Sequence, residues 1–103
     1  MVRFIVIWQN TPTDPEAFDR HYREVHIPLG KSLPGLRRYS LSRDVNPVRG
    51  EPAYRVAELD FDDMDALRSA FQSPEGQATA EDVEKLSEWS PGVRSMTYEL
   101  EDL

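Results

Sequence analysis

The sequence contains no cysteine, which removes disulfides, thiolate zinc sites and cysteine nucleophiles from its chemistry. It also lacks an excess of positive charge. Nineteen Asp and Glu against 12 Lys and Arg leave a formal charge of −7. Binding a phosphate backbone needs a basic footprint, so no nucleic-acid partner is expected. No apolar run approaches the ~20 residues of a membrane span. The longest apolar stretch, Val2 to Trp8, is short and interrupted by Arg3. No small-residue cleavage site comes after it, so it reads as a strand and not a signal peptide. The expectation is a cytoplasmic protein with no membrane partner. Glycine is scarce, with five in the chain, and no Gly-rich phosphate loop, nucleotide fingerprint or nucleophile elbow occurs. Histidine is scarcer still: the two present, His21 and His26, lie five residues apart.

What is there is enough for one domain over residues 1–103, with 39% hydrophobic and 30% charged residues. Val2 to Gln9 is β-branched and aromatic and reads as a strand. Val2, Phe4, Val6 and Trp8 point to one face, Ile5 and Ile7 to the other, so both faces ask for cover. Asp14 and Pro15 then open a helix. Its helical wheel puts Phe18, Tyr22, Val25 and Leu29 on one stripe, with His21 and His26 on opposite edges. Pro28 disfavours helical geometry at Ile27, so this helix is expected to stop near His26. Pro34-Gly35 marks a turn. Leu36 to Val45 reads as a second strand and Ala53 to Phe61 as a third, with Tyr54 and Val56 facing away from Ala57, Leu59 and Phe61. The loop between them, Asn46 to Pro52, is a candidate lid. Asp62 is expected to cap a second helix, with Met64, Leu67, Ala70 and Phe71 inward. Ser73-Pro74-Glu75 starts a third helix, running to about Trp89 with Val83 and Leu86 inward. Val93 to Leu100 completes the strands, with a frayed tail after it.

The order strand, helix, strand, strand, helix in two pieces, strand predicts an α+β fold. With right-handed crossovers it becomes a ferredoxin-like βαββαβ plait, a four-stranded antiparallel sheet with helices on one face. The bare face needs a partner, so a homodimer through the sheet face, a dimeric α+β barrel, is expected.

Candidate chemistry gathers on the first helix. On an ideal helix His21 and His26 stand about 140° apart, too far round to chelate one ion, and no carboxylate joins them on the stripe. No metal site is expected. Histidine titrates nearest neutrality, so His26 and His21 are the acid–base candidates. The competing reading makes each a hydrogen-bonded seam residue between helix and sheet. Tyr22 and Tyr39 are candidates to orient a substrate oxygen, and core packing is the simpler role for a tyrosine in such a pattern. Arg38 and Arg55 carry the bidentate geometry that suits a carboxylate. Arg37, Arg38 and Arg43 form a candidate basic cluster. Trp8 is first a packing residue and second a platform for a ligand.

Phe18-Asp19-Arg20-His21-Tyr22, then His26-Ile27-Pro28-Leu29, then Leu33 to Tyr39 (LPGLRRY) together resemble the EthD family, named for a component of ethyl tert-butyl ether degradation. Ala57 to Phe61 and Ala70 to Gly76 extend the resemblance over nearly the whole chain. It implies a ferredoxin-like fold and a dimeric α+β barrel. His21, Tyr22, His26 and Tyr39 fall on its motif positions. Barrels related to the family include cofactor-independent monooxygenases, lactone isomerases, polyketide cyclases and haem-degrading enzymes. The first functional expectation is therefore a cofactor-independent small-molecule enzyme, needing neither metal nor flavin. It would act on an aromatic, polyketide or lactone-like metabolite. His26 would be the base, Tyr22 or Tyr39 the orienting group and His21 a tuning or positioning residue. The second expectation is a non-catalytic binding or accessory barrel for a hydrophobic metabolite, or for haem held by one histidine. The third is that the motif is architecture only.

Overall fold

A computed structural model describes residues 1–103. Strand β1 (Val2–Trp8) pairs antiparallel with β3 (Arg55–Phe61) on one side and with β4 (Arg94–Glu99) on the other. Strand β2 (Arg38–Leu41) pairs antiparallel with the outer edge of β3. The sheet order β2-β3-β1-β4 is that of the ferredoxin-like plait. No helix is long and apolar enough to cross a membrane.

The pleat sorts side chains between two faces. Val2, Phe4, Val6 and Trp8 share the helix-covered face with Ala57, Leu59, Phe61, Tyr39 and Leu41. Trp8 and Phe61 are wholly buried there. Arg3, Ile5 and Ile7 share the other face with Val56, Glu58, Asp60, Met96, Tyr98 and Arg38. No element of this chain covers that face. Met96 and Tyr98 are 44% and 39% exposed on it.

The helical layer departs from the expectation in one consequential place. Helix α1 (Pro15–His21) is capped by Asp14, whose side chain accepts from the Ala17 N–H. It does not stop near His26. It passes through a π turn, Tyr22–His26, closed by the Ile27 N–H on the Tyr22 carbonyl, and continues as α2 (Ile27–Lys31). Pro28 offers no N–H and its ring crowds the carbonyl four residues back. A turn widened by one residue moves that carbonyl aside, so the proline is absorbed into the helix. The extra residue also shifts the phase. The buried positions become Phe18, Tyr22, His26 and Gly30, and Val25, expected inside, is 39% exposed.

Smaller corrections are local. Strand β2 is four residues, shorter than Leu36 to Val45. Helix α3 (Met64–Gln72) is capped by Asp63, which accepts from the Ala66 N–H. Asp62 instead pairs with Arg37 at 2.8 Å. Tyr54, expected on the far face, packs beside Phe18 and donates to Asp19 at 2.9 Å. Ser73 caps α4 (Pro74–Ser87), as its Ser-Pro-Glu start suggested. Gly76 lets α4 leave α3 at close range, since a Cβ there would clash with the Ala70 carbonyl oxygen and the Phe71 backbone.

Candidate active site

The π turn brings His21 and His26 to the same carboxylate. His21 Nε2 lies 2.7 Å from Asp82 Oδ1, and His26 Nδ1 lies 2.9 Å from Asp82 Oδ2. One expectation is thereby corrected and another completed. The 140° separation holds for an ideal α-helix, and the wider turn does away with it. The carboxylate that joins the histidines comes from α4, not from the stripe of the first helix. Its signal is present in the sequence: Asp82 sits three residues after Thr79 and four before Leu86, on the buried stripe of α4. An acid on an apolar stripe asks for a partner.

An ionised carboxylate only accepts, so each imidazole donates to it. His21 therefore donates through Nε2 and His26 through Nδ1. That fixes His26 with Nε2 as a bare lone pair. Burial pushes the His26 pKa down from its ordinary 6.5, Asp82 works against the shift, and His21 adds to it. His26 is 6% exposed. His21 is wetter and packs at a tilt of 56° against Trp89, ring centroids 5.6 Å apart.

His26, and not His21, lines a cavity of about 290 Å³ between the sheet and α4. Ten of its 14 lining residues are hydrophobic, which makes it a pocket for apolar matter with a few polar groups. The buried end carries Tyr22, His26, Ala57 and Leu59; the exposed side carries Ala80, Glu84 and Ser95. The Tyr22 ring lies 4.9 Å from the His26 ring. Tyr39 enters from β2, and its ring rests on Gly30, where a Cβ would stand 2.7 Å from Tyr39 Cε2. Burial raises the pKa of both phenols, and their mutual proximity raises that of Tyr39 further. Both therefore stay protonated at neutral pH and offer O–H donors beside the imidazole.

The other expected site residues lie elsewhere. Trp8 is wholly buried beneath Phe18 and Tyr22 and does not line the cavity. Its indole N–H lies towards the Tyr22 hydroxyl without a hydrogen bond of ordinary geometry. Arg38 projects from the opposite sheet face, so it cannot reach a ligand in the cavity. Arg55 is held by Asp19 and lies over the Tyr54 ring. Arg37, Arg38 and Arg43 do not act as one cluster, because Arg37 is paired with Asp62. None of residues 46–52 lines the cavity; Asn46 and Pro52 border a separate polar groove instead. Besides Asp82, reasoning from sequence missed Thr79, Glu84 and Ser95. No pattern in the sequence marks them, because they meet only across helix and sheet.

The fold and the cavity define a ferredoxin-like α+β protein with a buried His–Asp pair facing an apolar pocket. The EthD domain model matches residues 10–90, and the chain belongs to the EthD family. A relative from Rhodococcus erythropolis, an uncharacterized 11.0 kDa protein of the thcB-thcC intergenic region, is 39% identical over 85 residues, 81% of each chain. The crystal structure of an EthD family protein from Bacillus halodurans is 33% identical, with a TM-score of 0.86 over 98% of this chain and 99% of that one. SnoaB from Streptomyces nogalater, a cofactor-independent oxygenase solved in a mutant form, is 19% identical, with a TM-score of 0.66 over 99% of this chain and 94% of that one. At that identity the likeness shows the fold alone.

Proposed function

We propose that the protein is a cofactor-independent enzyme that removes a proton from a small hydrophobic metabolite of aromatic, polyketide or lactone type. The observation that carries this reading is the Asp82–His26 pair at the closed end of an apolar cavity. Asp82 holds the imidazole so that Nε2 faces the ligand as a base, the division of labour of a His–Asp pair in hydrolases. His26 takes a proton from an acidic C–H or phenol O–H and becomes imidazolium, which Asp82 stabilises. The electron pair left behind moves onto the substrate oxygen, where the O–H of Tyr22 or Tyr39 donates to it. The fate of that anion, whether isomerisation, cyclisation or transfer of electrons to dioxygen, is set by the substrate. The oxygenase variant draws support from SnoaB, whose fold is the same.

Haem is disfavoured as an occupant. A cavity of about 150 Å³ holds one benzene ring, and about 290 Å³ is too small for a four-pyrrole macrocycle. We also infer a homodimer through the open sheet face, because Ile5, Ile7, Val56, Met96 and Tyr98 lie there without cover.

Proton removal is tested without knowing the later steps. Exchange of hydrogen for deuterium at acidic C–H positions of cyclic aromatic ketones and lactones, monitored by NMR in D2O, reads it directly. Wild-type protein is expected to accelerate exchange, and His26→Ala to lose about 10²–10⁴-fold of that rate while keeping its circular dichroism. Equal exchange by folded His26→Ala removes His26 as the base.

A further inference from the structure

We propose that the cavity admits uncharged one- or two-ring phenols or enolisable ketones, acidic group first, and that Glu84 at its rim turns away the same skeletons bearing a carboxylate. This rests on reading the cavity as the ligand site, and it adds a charge rule to that reading.

The rule comes from the composition of the walls. No lysine or arginine is among the lining residues, and the one carboxylate among them is Glu84. Behind His26 stands a second carboxylate, Asp82, already shared between two imidazoles. An anion entering this space would leave water for a mostly apolar wall with no fixed cation to meet it, which is costly. At the rim it would face Glu84, and like charges repel. Arg55, a strand cation on the helix side, is held by Asp19 and does not line the cavity.

The direction of entry comes from the burial gradient. Tyr22 and His26 are buried, whereas Glu84 and Ser95 are exposed. The polar groups able to meet a phenol or carbonyl oxygen therefore lie deep, and the trailing end of the ligand lies beside Glu84. The volume sets the size, because about 290 Å³ is roughly twice the ~150 Å³ that accommodates a single benzene ring.

Three probes on one naphthol skeleton separate charge from size: 2-naphthol, methyl 6-hydroxy-2-naphthoate and 6-hydroxy-2-naphthoate. In the ester and the acid the phenol enters first and the substituent reaches the rim. Binding is measured by calorimetry at pH 7, where the acid is ionised. The expected result is that the naphthol and the ester bind alike and the acid binds at least about tenfold more weakly, a difference of about 1.4 kcal/mol. Glu84→Lys is expected to bring the acid to within about threefold of the ester. Glu81→Lys, a charge change of the same sign on α4 but outside the cavity lining, is expected to leave the ratio unchanged. An acid that binds as well as the ester, a ratio unmoved by Glu84→Lys, or failure of all three probes to bind overturns the proposal. The ratio is read without turnover, so a failure of His26 as a base would leave it intact.

Discussion

His26 loses solvation on folding and gains Asp82, and burial wins, so its pKa falls. Between the lowered folded value and the ordinary 6.5, the unfolded chain binds the proton that the folded chain refuses. Stability therefore falls as pH drops through that window and is restored as pH rises above it. His26→Gln removes the titrating group, and urea titrations from pH 7.5 to 5 are expected to show a shallower loss than in wild-type protein. An equal slope in both would show that His26 is not desolvated as described. Asp60 acts in the same sense as His26, in a lower pH window and for a different cause. The Arg3 guanidinium holds its carboxyl below the usual range, so that contribution is present above the ordinary carboxylate pKa and is lost in acid.

At the scale of the element, the π turn decides where His26 goes. Deleting Val25 turns the segment into a regular α-helix and forces Pro28 against the carbonyl behind it, at a cost of about 3 kcal/mol or more. Combining the deletion with Pro28→Ala is expected to recover most of that loss in thermal unfolding. Equal instability of the single and double variants would show that the turn serves something other than the proline. The same turn marks the limit of what the sequence could reveal. The strands, the helix starts at Asp14 and Ser73, and the ferredoxin-like order were legible, because alternation and capping are local signals. Tyr22, His26 and Tyr39 were legible as a motif. The 3.6-residue period, however, placed Val25 inside and His26 at an edge, because no periodic pattern announces an inserted residue. Asp82 was hidden for a different reason. Its partners are 61 and 56 residues away in the chain, and only packing of α4 against the π turn reveals them.

At the scale of the molecule, the open sheet face is the unsatisfied surface. Arg3 grips Asp60 at 2.8 Å and Glu58 at 3.1 Å, so much of the charge on this face is already neutralised among apolar neighbours. Ile5 and Met96 are cross-strand partners there. Ile5→Asp places an unpaired charge at that position and is expected to give a monomer in sedimentation velocity where wild-type protein gives a dimer. A monomeric wild-type protein at tens of micromolar would remove the sheet-face dimer.

The state of His26 itself is open to one observation, the ¹⁵N NMR spectrum of the imidazole nitrogens across pH. With Asp82 accepting from Nδ1, neutral His26 must carry its proton on Nδ1, keep Nε2 bare, titrate below 6.5 and lose that tautomer preference in Asp82→Asn. A neutral His26 protonated at Nε2, or one that titrates at its ordinary value, would contradict its assignment as the base that faces the cavity.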